Sequence, residues 1–542
     1  MILNQPQKTK GARAMDDPDI VVIGAGHQGL VCAATLAEGG LHPLVLEAAS
    51  TPGGAVASGE LTVPGLVHDV CATNMNLFLG SPFHAAHAEQ LASLGLRFAR
   101  SDAPYASAFP DGTSLRVTTD ESATAAMWAE HSAGDAAGWQ QLRGVFDDFA
   151  SAYLPVYANP FPSLQARHSL QALRHRSGGA GLGELAQVLL SSTRALGERY
   201  FVTPEARSLV SAWGMHLDYA PDIAGGAVFP LLELYADMLG GISIVEGGAG
   251  RLSDALVQMV RGLGGEVRCD AAVTGIDVGA DGVRAVLVGD ERISVGRVVS
   301  TAVLPITAGL LPADRRPASV ARSARDYRFG PGTFMLHLAM DGEIPWTDPR
   351  LGTQAYVHVG PYVDDMARAY GQSMAGDLPD EPLLVVGQTS VVDPTRVSPD
   401  GYRAVWVQVR TVPSSPRAGS WDELSERFAN QVVDKLEAYA PGTRDRIVER
   451  AHLSPTDLER RDANLVGGDS VAGSHHLDQF IGLRPSLAMS RYRTPVTGLY
   501  LAGAGTWPGA GVNAISGQLA AEAVLRDAAG RLGRLRRLVP RR

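Results

Sequence analysis

Residues 21–50 read VVIGAGHQGLVCAATLAEGGLHPLVLEAAS, an apolar run followed by closely spaced glycines, a second apolar segment and an acidic residue. The stretch predicts a β-strand, a glycine-rich turn, a helix that ends at residues 39–40 and a second strand. In this context the glycines fit the pattern G-x-G-x-x-G, which brings backbone amides and the N-terminus of a helix close to a pyrophosphate. The sequence therefore predicts a Rossmann-like site for a phosphorylated adenosine.

The individual residues of this turn have distinct predicted roles. Gly24 permits the tight turn, Gly26 lets the backbone approach the pyrophosphate, and Gly29 lets the helix pack closely on the strand. Glu47 ends the second strand, where its carboxylate would reach the ribose hydroxyls. Because a carboxylate there would repel a 2′-phosphate, the ligand is predicted to be NAD or FAD.

Two further glycine-rich segments decide between these ligands. Residues 51–55, TPGGA, extend the glycine-lined surface directly after the second strand. Residues 498–525, GLYLAGAGTWPGAGVNAISGQLAAEAVL, repeat the order strand, turn and helix, and the helix is predicted to begin near Gly511. Its positive end would face a group held between the two segments. A flavin suits this layout because its ring lies far from its adenine and becomes negative on reduction, so the predicted cofactor is FAD.

Three motifs carry a family resemblance: GAGHQGL (24–30), the GG turn, and LAGAGTWPGAGV (501–512). They resemble the phytoene-desaturase-like FAD-dependent oxidoreductases, the branch that holds the carotenoid desaturases and isomerases. The nearer resemblance is to pyridine nucleotide-disulphide oxidoreductase domain-containing proteins of type 2, and it includes GDSVAGSHHLDQFIGLRP (468–485). The resemblance covers residues 18 to about 526, with a departure at Trp507, where many relatives carry His.

The resemblance implies an α/β fold with a Rossmann-like FAD-binding domain of the glutathione-reductase/amine-oxidase type and a discontinuous α+β substrate domain. It also implies that the backbone of Val273 lies against the adenine. The residues expected to bind FAD are Gly24, Ala25, Gly26, Gln28, Gly29, Glu47, Ala48, Gly53, Gly54, Ala55, Val273, Gly503, Gly505, Gly511, Val512 and Asn513.

The remaining chain predicts a discontinuous organisation. In its second half, Val405, Val407 and Val409 alternate with Trp406, Gln408 and Arg410, and a capping box at 420–423 starts a helix over 421–439. The predicted divisions are a flexible N-terminus (1–17), an FAD-binding domain (18–75, 244–304 and 490–526), a helical substrate or lid region (76–243), a substrate-domain sheet (305–489) and a basic tail (527–542).

The composition of the chain excludes several classes of ligand and site. The chain has 542 residues, a formal net charge of −10 and no basic face, which excludes nucleic acid as the main ligand. Three cysteines without a CxxC pair give no metal or disulfide signature, and no leader precedes the apolar strand, so a cytoplasmic protein is predicted. The tail RLGRLRRLVPRR (531–542) is predicted to be a solvated helix end, with peripheral contact to an anionic membrane surface as the alternative.

The residues nearest the flavin ring are expected to come from two segments. Trp507, Val512 and Asn513 lie on one side, and Asn74 and Asn76 on the other. The backbone amides of Val512 and Asn513, at the start of the predicted helix, would support negative charge at flavin O2. Trp507 would shape the substrate pocket or pack at the domain interface.

His475 and His476 are the candidate proton carriers, and as neighbours they are expected to point in opposite directions. With Trp507 and Asn513 they complete the predicted catalytic set. Asp478 and Arg484 are expected to pair with each other. Cys71 is interpreted as a buried thiol, so FAD is predicted to be bound non-covalently.

The predicted reaction is dehydrogenation of an apolar or conjugated small molecule by hydride transfer to flavin N5, with O2 or a quinone as the electron acceptor. Three alternatives remain open: a flavin amine oxidase, a redox-neutral flavin-dependent isomerase, and an FAD-stabilised interaction protein without turnover.

Overall fold

The structure is a computed structural model that describes residues 18–360 and 362–538, with the backbone alone described for 531–538. The predicted flexible N-terminus (1–17) lies outside the described residues, and so do the tail side chains on which a membrane contact would depend.

The strands of the described chain are β1 (Ile20–Ile23), β2 (Pro43–Leu46), β3 (Ser58–Glu60), β4 (Val67–Asp69), β5 (Phe98–Ser101), β6 (Tyr105–Ala108), β7 (Ser114–Val117), β8 (Ile242–Val245), β9 (Glu266–Arg268), β10 (Val273–Gly279), β11 (Gly282–Val288), β12 (Glu291–Ser294), β13 (Val298–Ser300), β14 (Gly332–Met340), β15 (Tyr356–Val359), β16 (Leu383–Gly387), β17 (Arg403–Val412), β18 (Ile447–Leu453) and β19 (Leu499–Leu501).

The helices of the described chain are α1 (His27–Glu38), α2 (Asn76–Leu79), α3 (Pro82–Ser93), α4 (Glu121–His131), α5 (Ala133–Tyr157), α6 (Leu164–Leu190), α7 (Thr193–Tyr200), α8 (Pro204–Gly214), α9 (Val228–Gly240), α10 (Gly250–Gly262), α11 (Leu304–Gly309), α12 (Ala318–Asp326), α13 (Val363–Ala375), α14 (Thr389–Val392), α15 (Trp421–Tyr439), α16 (Thr443–Arg446), α17 (Pro455–Arg461) and α18 (Ile515–Leu538).

A parallel sheet with the strand order β19-β13-β1-β2-β9 forms the first layer. Ile20 and Val22 of β1 face the cluster formed by α1, α10 and α18, whereas Val21 faces the cluster beneath the antiparallel sheet β10-β11-β12. Both faces of β1 are covered, which is why its sequence is continuously apolar. This arrangement confirms the predicted α/β, Rossmann-like fold.

The order of the strands reverses at β1, because β2 lies on one side of it and β13 on the other. In open parallel sheets such a reversal leaves a crevice at the carboxyl ends of the strands, where ligands bind. The glycine turn 24–29 follows β1 directly, so it opens at this crevice.

A second, seven-stranded sheet has the order β18-β14-β17-β16-β15-β6-β7. Strands β6 and β7 come from residues 76–243, which we predicted to be a helical region, and β6 runs parallel to β15 in register with Tyr356 opposite Tyr105. The region holds helices α2 to α9 and also the strands β5 to β7 and the start of β8, while the predicted division into domains stays a prediction. The strand β6 reads YASA, and such a short segment with small residues carries little strand signal.

The alternation in β17 separates two environments, as the sequence predicted. Val405, Val407 and Val409 lie in the core that covers the sheet with α15, whereas Trp406 and Arg410 face the opposite side. The capping box of Ser420 and Glu423 is present at the start of α15.

Within residues 18–360 and 362–538, no helix combines the length and the apolar character needed to cross a membrane.

Candidate functional site

A crevice with a volume of about 510 Å³ lies at the carboxyl ends of β1, β2 and β13. Six of the predicted FAD-binding residues line it, namely Gly24, Gly26, Glu47, Ala48, Gly54 and Val273. Parts of the chain that are far apart in sequence therefore meet at one elongated site.

The glycines of the first turn are required by close backbone approaches. A Cβ atom on Gly24, whose φ is 97°, would lie 2.3 Å from Thr301 Oγ1. A Cβ atom on Gly29 would lie 2.1 Å from the carbonyl oxygen of Gly24, so α1 could not pack on β1. Gly26 and Gly53 form an isolated β-bridge that joins the two glycine turns. The turns thus leave a glycine-lined cradle that fits a dinucleotide pyrophosphate.

Glu47 lies at the wall of the crevice, as predicted. Its Oε2 accepts a hydrogen bond from the Ala25 amide at 2.6 Å, and its Oε1 accepts one from the Ala49 amide at 2.9 Å. Each carboxylate oxygen has a second lone pair, so both oxygens can still accept hydrogen bonds from ribose hydroxyls. Ala25 contributes through this amide, which holds the carboxylate next to the glycine turn.

A second cavity of about 200 Å³, here called the chamber, begins where the crevice passes the GG turn. Gly54 lines the crevice, whereas Ala55 and Val56 line the chamber. The predicted residues Gly511 and Val512 line it from the C-terminal segment. A molecule that extends from Glu47 past the GG turn would therefore place its far end in the chamber, as an FAD molecule requires.

Aromatic side chains form part of the chamber walls. Trp213, Phe229, Tyr356 and Trp406 line it, and the rings of Tyr356 and Trp406 are stacked with centroids 6.0 Å apart. Polar side chains line it as well, namely His27, Thr73, Asn74, His216, Glu233, Gln408, Arg410 and Ser470. Except for Asn74, these residues were not predicted to belong to the site, because the segments that carry them meet only in the folded chain.

Gln28 and Asn513 join the two ends of the chain rather than lining the cavities. The buried Gln28 amide donates to Asn513 Oδ1 at 3.0 Å and accepts from the Gly517 amide at 2.7 Å. A Cβ atom on Gly517 would lie 2.2 Å from the Gln28 carbonyl oxygen, so α18 packs directly against α1. These two side chains hold the two turns together, and their contact with the cofactor stays a prediction.

The predicted start of the last helix near Gly511 is wrong. Helix α18 begins at Ile515, and the Asn513 carboxamide oxygen accepts a hydrogen bond from the Ile515 amide at 3.0 Å. The Asn513 amide itself donates to the Gly511 carbonyl at 2.9 Å. It is thus committed within the turn, and only the Val512 amide remains a candidate for contact with flavin O2.

Gly503 and Gly505 allow the C-terminal turn to pack closely against neighbouring segments of the chain. A Cβ atom on Gly503 would lie 2.7 Å from the Thr301 carbonyl oxygen, and one on Gly505 would lie 3.3 Å from the Tyr327 hydroxyl. Neither glycine lines the crevice or the chamber. Their small size lets the C-terminal turn approach the segment after β13.

Trp507 is fully buried and lines neither the chamber nor the crevice. Its indole N–H donates to the carbonyl of Asn159 at 2.9 Å, and its ring contacts Tyr157, Phe161 and Phe480. This geometry corresponds to the packing alternative for Trp507. A catalytic role for it stays a prediction without a contact to the chamber.

His475 and His476 point in different directions, although they lie in a loop rather than on a strand. His475 Nε2 accepts a hydrogen bond from the Ala510 amide at 3.0 Å, and His475 lines a small apolar cavity next to the chamber. Burial and the nearby Arg484 cation hold the pKa of His475 well below its usual range, so its imidazole is neutral. His476 lies 3.4 Å from an oxygen of Asp218 and outside both cavities.

Asn74 lines the chamber, whereas the other predicted asparagine supports a buried acid. The Asn76 carboxamide donates to Asp237 Oδ1 at 2.7 Å. Burial raises the pKa of Asp237 to about 7 and, together with Asp237, holds the pKa of Glu233 well above its usual range. The signal for this pair was present in the sequence, because both acids lie within the apolar helix VFPLLELYADMLG (228–240).

The expected pair between Asp478 and Arg484 is absent from the described structure. Asp478 instead forms an ion pair with Arg328 at the surface. The guanidinium of Arg484 is fully buried and donates to the backbone carbonyls of residues 471–474 and 504. It therefore connects the loop after α17 to the C-terminal glycine turn.

Cys71 lines the chamber, and burial raises the pKa of its thiol to about 12. The thiol therefore stays protonated, as expected for a buried cysteine that is not activated as a nucleophile. Non-covalent binding of FAD stays a prediction.

Comparison with known proteins shows which family and which individual proteins this chain is similar to. The family model described as flavin containing amine oxidoreductase matches residues 29–525. A pyridine nucleotide-disulfide oxidoreductase domain-containing protein 2 from Rattus norvegicus is 27% identical over 548 residues, which cover 94% of this chain and 93% of the relative. A phytoene dehydrogenase from Streptomyces griseus is 26% identical over 525 residues, which cover 93% of this chain and 94% of the relative.

Among solved structures, cyclohexylamine oxidase from Brevibacterium oxydans IH-35A has a TM-score of 0.59 at 17% identity, with 95% of this chain and 100% of that chain covered. This likeness concerns the fold. It extends over both the parallel sheet and the seven-stranded sheet.

Proposed function

The chain belongs to the flavin containing amine oxidoreductase family and binds FAD, and from this premise we propose that it dehydrogenates an apolar or conjugated small molecule. The observation that carries the proposal is the aromatic chamber at the end of the FAD crevice. A smaller cavity of about 30 Å³, lined by Leu77, Tyr153 and Phe480 among others, adjoins it. An apolar substrate would lie between these walls with its reacting carbon next to the flavin ring.

When bound, FAD supplies the redox chemistry by accepting a hydride at N5. The chain positions the substrate between its aromatic side chains and excludes water from the reacting carbon. The Val512 amide would donate to the O2 edge of the ring, where negative charge increases on reduction. Leu77, which lines both cavities, would separate the reacting carbon from the rest of the substrate.

The second hydrogen of the substrate leaves as a proton, and we propose His216 as its acceptor. His216 lines the chamber, and its Nε2 lies 2.9 Å from Nε2 of His358. Burial, with His358 and Arg410 nearby, holds the pKa of His216 well below its usual range, so the imidazole is neutral in the resting protein and would hold the proton only transiently before passing it on. His475 at the adjoining cavity is the second candidate, but its Nε2 already accepts a hydrogen bond from the Ala510 amide and would have to give up that bond to take the proton.

Two relatives support different substrates. The Streptomyces griseus relative is named as a dehydrogenase of phytoene, and the solved structure with the same fold is named as an oxidase of cyclohexylamine. Stacked aromatic rings in the chamber favour either ligand. A protonated amine, however, would meet the cation of Arg410 in the chamber wall. We therefore place dehydrogenation of an apolar carbon skeleton without a positive charge first and amine oxidation second.

We expect anaerobic mixing of the FAD-loaded protein with an apolar conjugated polyene to bleach the visible absorbance of oxidised flavin, because hydride transfer reduces the ring. A primary amine of similar size should leave the absorbance unchanged. The measurement is stopped-flow absorbance spectroscopy with product analysis. Readmission of air or addition of a quinone then tests the two proposed electron acceptors through reoxidation of the flavin.

The other functions predict different results in the same experiment. Bleaching by the amine but not by the polyene would identify an amine oxidase. A polyene that changes its double-bond geometry without net oxidation would identify an isomerase. Absence of bleaching with every compound of both classes would favour an FAD-stabilised interaction protein.

A further inference from the structure

We propose that Arg410 binds the carboxylate group of an otherwise apolar substrate in the chamber. This inference rests on the proposed function and specifies its substrate class as an aromatic or polyenic carboxylic acid. Arg410 lies on β17. Trp406, Gln408 and Arg410 alternate along this strand and all line the chamber, so the guanidinium lies at the end of a row of ligand-facing side chains.

The hydrogen bonds of Arg410 leave much of its donor capacity unused. One terminal nitrogen donates to the hydroxyl of Ser470, and the buried Nε has no partner among the described residues. No carboxylate of the described chain lies within 4.0 Å of the guanidinium. An arginine has five N–H donors, so several remain available to a ligand.

Two other buried arginines show how this fold satisfies a buried cation. Arg396 is paired with Asp69 at 2.7 Å and with Asp393 at 3.3 Å. Arg484 donates to five backbone carbonyls. Among the described residues Arg410 has neither kind of partner; its side chain is half-buried, its Nε is fully buried, and desolvation lowers its pKa to about 10. A desolvated cation without a directly paired carboxylate is costly, so the chamber favours an anion from outside the chain.

The acids around the chamber do not supply that counter-charge. Asp469 and Asp218 both contribute electrostatically, but neither forms an ion pair with Arg410 within 4.0 Å, and the two Asp469 oxygens accept hydrogen bonds from the amides of Gly330, Val471 and Gly473. Glu233 lines the chamber, but burial and Asp237 hold its pKa well above the usual range, so it stays protonated near neutral pH. The carboxylate of a substrate would therefore be the missing partner.

A carboxylate also fits the geometry better than other anions of the same charge. The planar guanidinium fork binds a carboxylate through two parallel hydrogen bonds. The neighbouring walls, Trp213, Phe229 and Trp406, accept an apolar or conjugated body. The site thus combines one charged anchor with an aromatic pocket.

The test is a pair of probes that share the same phenylpropenyl skeleton and differ in charge, trans-cinnamate and cinnamyl alcohol, titrated into the FAD-loaded protein. Binding is followed through the perturbation of the flavin absorbance spectrum, which needs no turnover. We expect cinnamate to bind at least about tenfold more tightly than the alcohol. In Arg410→Gln the affinity for cinnamate should fall by roughly tenfold to a hundredfold, as for the loss of a hydrogen-bonded charge partner, while the affinity for the alcohol is retained.

Arg410→Lys keeps the positive charge but loses the planar guanidinium group, so it should lose part of the cinnamate affinity. This variant provides a second test if Arg410→Gln folds poorly. Arg403→Gln is the matched control, because Arg403 lies at the other end of β17 and does not line the chamber. It should bind both probes as the wild type does.

Equal affinity of the wild type for both probes, or absence of cinnamate binding, would overturn the proposal. So would unchanged cinnamate affinity in both Arg410 variants. If ligand-free Arg410→Gln shows a shifted flavin spectrum with unchanged cinnamate affinity, Arg410 contacts the cofactor instead, and the proposal is also overturned. Failure of the dehydrogenase function would appear in the bleaching experiment alone, because these titrations measure binding.

Discussion

Glu47→Arg should yield a protein that is colourless or nearly so after purification, with an affinity for FAD at least about tenfold weaker than that of the wild type. The substitution removes an acceptor for the ribose hydroxyls, and a charge-assisted hydrogen bond contributes about 1.5–3 kcal/mol. It also breaks the hydrogen bonds from the amides of Ala25 and Ala49, which hold the glycine turn. The measurement is the ratio of flavin to protein absorbance, followed by titration of the apoprotein with FAD.

Two further variants test whether the loss of FAD affinity is specific to the carboxylate of Glu47. Glu60→Arg introduces the same charge change at the exposed end of β3 and should retain normal flavin content. Glu47→Gln keeps acceptor capacity and should show an intermediate loss. A normal flavin content in Glu47→Arg would refute the placement of the adenosine at the ends of β1 and β2.

Arg484→Met is expected to lower the free energy of unfolding by on the order of 3 kcal/mol or more. The side chain is fully buried, and its removal leaves several backbone carbonyls without a donor, each at a cost of about 1–3 kcal/mol. Because two of the lost hydrogen bonds reach the Ala504 carbonyl, flavin retention should fall as well. The measurement is the thermal unfolding temperature of the FAD-loaded and FAD-free protein.

Arg328→Met provides the comparison, since Arg328 pairs with Asp478 at the surface. Exposed ion pairs contribute at most about 1 kcal/mol, so this variant should unfold close to the wild-type temperature. If Arg484→Met and Arg328→Met were equally stable, the buried network around Arg484 would not have the role that its contacts indicate.

The first glycine turn could be predicted from sequence because each of its requirements is local. Gly24 needs a positive φ, Gly29 needs close packing on its own strand, and Glu47 follows the strand that pairs directly with β1. These constraints act over a span of about one βαβ unit, so they leave a pattern in a single stretch. The family membership confirms the resemblance that this turn and the C-terminal turn predicted.

The details of the C-terminal segment could not be predicted in the same way. The pattern indicated a helix from Gly511, but the Asn513 side chain starts α18 later by accepting from the Ile515 amide. Asn513 also meets Gln28, and nothing in either segment alone shows that these two side chains will be neighbours. Contacts between distant segments depend on the packing of α18 on α1.

The chamber was the least predictable part for the same reason. Its polar side chains come from α1, α9, β17 and several loops, which are separated by long stretches of chain. The alternation along β17 did predict that its side chains lie on two different faces of the sheet. It could not show that Arg410 would line a cavity and would not pair with a carboxylate of the chain. The expected pair of Asp478 with Arg484 was wrong because proximity in sequence does not reveal which side chain will be buried.

A crystal structure of the FAD-loaded protein is the most direct test of the claim that both ends of the chain hold one FAD molecule. We expect a ribose hydroxyl within hydrogen-bonding distance of Glu47 and a flavin ring in the chamber, in contact with both Ala55 and Val512. A flavin ring bound outside the chamber, or an adenosine bound away from Glu47, would contradict this claim.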